Sequence, residues 1–135
     1  MKQNSIVFDS FAILNFLKGE PSSNRVKEYL LRVQNKEIAG YISAVNLCEV
    51  HYMVMREKGY ADAEILTTSL RDWGLTVVFA DEDMAKKAGQ FKAQYPLSLA
   101  DAFAAATSQK FEAFLLTGDP EFQQLKGKIE IEWIV

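Results

Sequence analysis

The chain has 135 residues, 49% of them hydrophobic and 24% charged, a balance that is typical of a folded globular protein and excludes a disordered one. That length predicts one domain over residues 1–135, and a single cysteine with no apolar stretch near 20 residues predicts a cytoplasmic protein with no disulfide and no membrane partner. The formal net charge of −3 does not exclude a nucleic-acid partner, because acids that bind divalent cations contribute to that sum.

Short apolar runs alternate with helical patterns along the whole chain. In chain order the predicted elements are strand 4–9, helix 10–18, a helix that starts at 21–23, strand 38–42, helix 43–58, helix 61–73, strand 75–79, helix 81–95, helix 98–110, strand 113–117 and strand 129–135. This alternation predicts an α/β protein with a central, mainly parallel five-stranded sheet flanked by helices, and with the last strand at the sheet edge.

The helix 43–58 is apolar almost all the way round. Its apolar residues include Val45, Cys48, Val50, Tyr52 and Met55, so we expect the helix to be buried on most sides. The same pattern would also suit an interface between two protein copies, and the sequence leaves these two interpretations open.

Two aspartates lie at the carboxyl ends of predicted strands. Asp9 ends strand 4–9, and Asp119 lies two residues after strand 113–117. Parallel α/β sheets bind ligands beyond the carboxyl ends of their strands, so both side chains are candidates for a site. Both also suit a purely structural role, because Asp9 could cap the following helix and Asp119 precedes a proline, as N-cap residues often do.

Two further acids lie on predicted helices. The residues three and four positions from Glu49 on the helix are Val45, Asn46, Tyr52 and Met53, which form a mostly apolar surface. A buried carboxylate on such a surface needs a partner for its charge. Asp101 lies among alanines that leave space beside it, although Ser98 and Asp101 also resemble a helix capping box.

An α/β fold could bring these four acids to one edge of the sheet. Four carboxylates would repel one another without a cation, and oxygen ligands of this kind suit Mg²⁺ or Mn²⁺. The pattern therefore indicates a divalent-metal site formed by Asp9, Glu49, Asp101 and Asp119.

Four segments around these acids resemble the PIN-domain family, and in size and layout the chain is similar to the toxin half of a VapBC-type toxin–antitoxin pair. The segments are IVFDSFAIL (6–14), SAVNLCEV (43–50), LSLADAFAAAT (97–107) and LLTGDPEF (115–122). The resemblance implies a PIN-like three-layer sandwich, an acid cluster that binds Mg²⁺ or Mn²⁺, and endonucleolytic cleavage of RNA. It also implies a cognate antitoxin and a homodimer as partners.

Carried over by position, the resemblance implies that Asp9, Glu49 and Asp101 are the core metal ligands and that Asp119 is a more variable fourth. Ser10 and Thr117 fall where family members often place a hydroxyl near the acids. Gly118 departs from the family pattern, since a polar residue often precedes the last acid.

The main alternative is a noncatalytic PIN-like module that binds RNA or protein, in which the acids serve folding or partner contacts. The presence of all four acids favours the enzyme over this alternative. A phosphatase of the haloacid dehalogenase type would need a second aspartate two residues after Asp9, and that position is Phe11.

Overall fold

The computed structural model describes residues 4–135. Its elements are β1 (Ser5–Phe8), α1 (Ser10–Lys18), α2 (Ser23–Gln34), β2 (Ala39–Ser43), α3 (Ala44–Lys58), α4 (Tyr60–Asp72), β3 (Leu75–Val78), α5 (Glu82–Gln94), α6 (Leu99–Phe111), β4 (Phe114–Thr117), a 3-10 helix (Pro120–Leu125) and β5 (Ile131–Trp133). The 3-10 helix is the one element of this set that the sequence analysis did not predict. None of the helices formed by residues 4–135 is both long enough and apolar enough to cross a membrane.

The five strands form one sheet in the order β3-β2-β1-β4-β5, and every neighbouring pair is parallel. The predicted α/β class and the position of the last strand at a sheet edge are thus confirmed. Because all strands run the same way, their carboxyl ends lie along one border of the sheet, which we call the carboxyl edge. That edge carries the residues that follow β1 and β4, the two central neighbours.

Helices cover both faces of the sheet. In β1 the side chains of Ile6 and Phe8 join one hydrophobic cluster and that of Val7 joins the other, as the two-residue period of a strand requires. Helices α1, α2 and α4 supply buried residues to the first cluster, and α5, α6 and the 3-10 helix supply them to the second. Strands buried on both faces explain why β1 and β4 are continuously apolar in sequence.

The expectation that α3 is buried on most sides is wrong. Only Asn46 and Val50 of this helix are buried, whereas Cys48, Tyr52 and Met55 are exposed. The helix packs against α1, α4 and α6, which cover part of its circumference and leave an apolar strip exposed. An apolar pattern all round a helix therefore did not indicate burial here, because it does not specify how many neighbours the fold places around it.

A close approach between α2 and the sheet requires a glycine at position 40. A Cβ atom there would lie 2.7 Å from side-chain atoms of Leu75 and Val33, both of which are buried. We expect Gly40→Ala to lower the free energy of unfolding by about 1–3 kcal/mol through overpacking. Urea unfolding followed by circular dichroism measures the change.

The matched control is Gly89→Ala in α5, where a Cβ atom would meet no heavy atom within 4 Å. Alanine is the better helix former, so this variant should be more stable by about 0.5–1 kcal/mol. Equal effects of the two substitutions would contradict the packing described for Gly40.

Candidate metal centre

The site lies where β1 and β4 end side by side. These strands are paired with Phe8 opposite Leu116, so Asp9 lies next to Thr117, the last residue of β4. Asp119 follows two residues later. The prediction that both strand-end acids share one edge of the sheet is confirmed by this register.

Asp9 is almost fully buried, with 1% of its surface exposed. Its Oδ1 accepts a hydrogen bond from the backbone N–H of Ala12 at 2.8 Å, which caps α1, and its Oδ2 accepts one from the hydroxyl of Thr117. The Thr117 Oγ1 also accepts a hydrogen bond from the backbone N–H of Asp119 at 3.0 Å. Thr117 therefore joins the two strand-end acids, and the capping role of Asp9 is compatible with a place in the site.

Three acids have carboxylate oxygens that all lie within 4.8 Å of one another: Asp101, Asp119 and Glu121. Each lies at the start of a helix: Asp101 is in the first turn of α6, where its N–H donates to the cap Ser98, and Asp119 caps the 3-10 helix by accepting from the N–H of Glu121. Glu121 was not among the predicted site residues. Its position two residues after Asp119, in the first turn of a short helix, is the signal that could have identified it.

The negative charges in this cluster are poorly solvated and repel one another. Burial raises the pKa of Asp9 from 3.8 to about 7; its two hydrogen bonds oppose the shift, and the charges of Asp101 and Asp119 add to it. Partial burial and then the charge of Asp119 raise the pKa of Asp101 to about 7, with Glu121 and Glu49 adding smaller contributions. These couplings place Asp9, Asp101 and Asp119 in one electrostatic unit.

No lysine, arginine or histidine within residues 4–135 forms an ion pair with any of these acids. A group of carboxylates without a protein cation fits a hard divalent ion, which takes carboxylate oxygens as ligands and offsets their repulsion. The donor set therefore suits Mg²⁺ or Mn²⁺, and Asp9, Asp101, Asp119 and Glu121 are the residues that could hold it.

Glu49, like Asp9, lies outside the group of three carboxylates within 4.8 Å of one another, which belong to Asp101, Asp119 and Glu121. Glu49 is half-buried in α3, and its charge contributes to the raised pKa of Asp101. The structure thus brings Glu49 to the same site as the other predicted acids, on the side of Asp101.

Asn46 connects the helices that carry the acids. Its Nδ2 donates to the hydroxyl of Ser10 at 3.0 Å and to the backbone carbonyl of Ala100 at 3.3 Å, and the backbone carbonyl of Asn46 accepts from the hydroxyl of Ser10 at 3.4 Å. These bonds tie the start of α1 and the start of α6 to α3, one turn before Glu49. Ser10 therefore contacts Asn46 rather than an acid, whereas Thr117, the other predicted hydroxyl, contacts Asp9 directly.

The unusual glycine before the last acid has a packing reason. A Cβ atom at position 118 would lie 2.4 Å from Cε1 and 3.0 Å from Cζ of the Phe11 ring. Phe11 therefore occupies the space that a side chain at position 118 would take. The hydrogen bond from the backbone N–H of Asp119 to the side-chain hydroxyl of Thr117 holds Asp119 in place without a side chain at position 118.

The sequence matches the family model of the PIN domain over residues 6–128. The chain belongs to the PIN domain family. This match covers every element from β1 to the 3-10 helix, and with it all five acids of the site. No curated protein has a significantly similar sequence.

Solved structures with the same fold include several toxin–antitoxin proteins. A toxin–antitoxin complex from Klebsiella pneumoniae is 18% identical with a TM-score of 0.74, covering 96% of this PIN domain and 98% of that chain. DNA-bound VapBC from Salmonella typhimurium is also 18% identical, with a TM-score of 0.75 and coverages of 97% and 98%. VapC20 from Mycobacterium tuberculosis, described as a sarcin-ricin loop cleaving toxin, is 17% identical with a TM-score of 0.70 and coverages of 88% and 93%. At these identities the similarity shows the shared fold.

The raised pKa of Asp9 gives the metal-free protein a specific pH dependence. Because this pKa lies above its ordinary value, the folded protein binds more protons than the unfolded one between about pH 4 and 7, so stability falls as the pH rises through that range. In EDTA at pH 8, Asp9→Asn should raise the free energy of unfolding by as much as about 4 kcal/mol. Near pH 4 the gain should largely disappear.

Chemical denaturation of both proteins across this pH range measures the effect. The matched control is Asp81→Asn, because Asp81 caps α5 by the same kind of bond to Met84 but lies exposed and away from the site. An Asp9→Asn protein that is less stable than the wild type at pH 8 would contradict the electrostatic account.

Proposed function

We propose that this PIN domain is a Mg²⁺- or Mn²⁺-dependent endoribonuclease and the toxin of a type II toxin–antitoxin pair. The observation that carries the proposal is a group of acids at the carboxyl edge of the sheet: Asp101, Asp119 and Glu121 have carboxylate oxygens within 4.8 Å of one another, and the charges of Asp101 and Asp119 act on the buried Asp9. None of these acids forms an ion pair with a lysine, arginine or histidine within residues 4–135. A PIN domain with this set of carboxylates has the means to bind the ion that phosphodiester hydrolysis needs.

Each acid has a distinct part in this proposal. Asp9, Asp101 and Asp119 hold the principal cation, Glu121 extends the ligand set beyond Asp119, and Glu49 adds negative charge beside Asp101. A bound divalent cation would lower the pKa of a water and stabilise the negative charge that develops on the phosphate. Protons and cations compete for the same carboxylates, so metal affinity rises with pH through about 7.

Several positive surface residues already have a partner within the protein. Arg25, Arg32, Lys86 and Lys87 each form an ion pair with a nearby acid, and Lys92 donates to the carbonyl of Leu97. Affinity for phosphate at the site therefore depends mainly on the bound cations. Single-stranded or looped RNA is the favoured substrate, because its backbone can bend toward a recessed site.

Two further partners belong to the proposal. Complexes such as VapBC from Salmonella typhimurium share this fold, which supports a cognate antitoxin for this chain. A homodimer follows from the family resemblance, and the exposed apolar strip of α3, formed by Cys48, Tyr52 and Met55, is the surface we assign to it.

Cleavage of a panel of single-stranded and structured RNAs, with Mg²⁺ or Mn²⁺ and with EDTA, tests the nuclease directly. We expect metal-dependent cutting that leaves 5′-phosphate and 3′-hydroxyl ends. Asp101→Asn should reduce the rate at least about 100-fold, since even groups behind metal ligands are commonly worth 10- to 100-fold.

Asp81→Asn should cut like the wild type, because Asp81 is exposed at the start of α5 and its charge does not contribute to the raised pKa of Asp9 or Asp101. Ends with a 2′,3′-cyclic phosphate would exclude hydrolysis by an activated water. Metal binding without cutting of any RNA would favour the noncatalytic binding module.

A further inference from the structure

A groove of about 610 Å³ lies between α1, the turn that precedes α2 and the residues that follow β5. Its walls include Phe11, Leu14, Asn15, Lys18, Pro21 and Ile134. The backbone N–H of Ile134 donates to the carbonyl of Thr117 at 3.0 Å, so this groove continues the same carboxyl edge of the sheet that holds the acids. Its volume lies in the range of about 300–1,000 Å³ that small-molecule sites occupy.

Phe11 joins the groove to the acid site. It lies two residues after Asp9 in the first turn of α1, and its ring packs against Gly118, the residue before Asp119. The side chain nevertheless remains 38% exposed. One side of the Phe11 ring is held against the backbone of Gly118, next to Asp119, and another side is open to solvent. Such a ring is suited to stacking on a flat ligand.

The groove also contains a buried acceptor without a donor. The Nδ2 of Asn15 donates to the hydroxyl of Ser22 at 2.8 Å, whereas its Oδ1 is buried and has no hydrogen-bond partner. Asn15 as a whole is only 9% exposed. Buried amide oxygens are rarely left unpaired, so this oxygen would gain a partner if a bound ligand opened the groove wall and brought an N–H group to it.

We propose that this groove binds an unpaired nucleobase next to the scissile phosphate, with the base stacked on Phe11. The inference rests on the proposed ribonuclease function, because the acids fix where the phosphate lies and the groove begins at their edge. The base would bring the aromatic face and the N–H donors. The groove wall carries one positive and one negative side chain, Lys18 and Glu20, and Lys18 would bind the neighbouring phosphate. Glycine at position 118 is part of this subsite, since a side chain there would displace the ring.

The ring is separable from the metal site by substitution. Phe11→Leu keeps an apolar side chain against Gly118 but removes the aromatic face, and Phe11→Tyr keeps the face. A matched control is Phe79→Leu, because Phe79 is 73% exposed and follows β3, at the far side of the sheet from the groove. Tb³⁺ luminescence and thermal unfolding report whether the acid site and the fold remain intact in each variant.

Fluorescence anisotropy measures the binding of short labelled single-stranded RNAs in Ca²⁺, with gels to verify that the RNA stays intact. Each RNA carries one abasic position, and the positions are scanned along the strand. We expect Phe11→Leu to weaken binding of the unmodified RNA about 10-fold, and Phe11→Tyr and Phe79→Leu to bind like the wild type. At one abasic position the difference between wild type and Phe11→Leu should vanish, because the stacking partner is absent.

The outcomes separate this inference from the proposed function. Wild-type protein that cuts RNA with Mg²⁺ or Mn²⁺, with Phe11→Leu binding and cutting equally well at every position, would overturn the nucleobase subsite alone and assign the groove to another occupant. Wild-type protein that neither binds nor cuts any RNA would overturn both. A loss in Phe11→Leu that is the same for every abasic RNA would indicate a general effect on the fold and would also overturn the subsite.

Discussion

The arrangement of the site depends on one carboxylate that is kept from water. Asp9 directly follows β1 and caps α1. Both of its carboxylate oxygens accept hydrogen bonds, one from the backbone N–H of Ala12 and one from the hydroxyl of Thr117. Those bonds do not offset its burial or the charges of Asp101 and Asp119, so its pKa rises to about 7. At neutral pH this carboxyl group is therefore partly protonated, and the cation that we propose for this edge would compete with that proton.

Much of this site could be predicted from local sequence. Strands alternating with helices imply a parallel sheet, and a parallel sheet collects the residues after its strands, here Asp9 and Asp119, at one edge. The helix-capping patterns at Asp9 and at Ser98 with Asp101 also hold in the structure. Capping is compatible with the proposed metal binding, because the backbone N–H groups at a helix start stabilise the same negative charge that a metal ion would bind.

The remainder depends on contacts between segments that are distant in sequence. Glu121 joins the cluster because a short 3-10 helix follows Asp119. An element this short has no hydrophobic periodicity from which the sequence could predict it. The bridge from Asn46 to Ser10 and Ala100 depends on how α3 crosses α1 and α6, which local patterns do not determine. The same limit explains why the sequence suggested a buried α3, although three neighbouring helices cover only part of it.

We propose that the carboxylates at the ends of β1 and β4 and at the start of α6 form one divalent-metal site. Crystals of the protein grown at pH 8 and soaked in Mn²⁺ would test it by anomalous diffraction. We predict the strongest anomalous peak in direct contact with carboxylate oxygens of Asp9, Asp101 and Asp119. A fully ordered site with no peak, or Mn²⁺ bound only at other surface acids, would contradict the account.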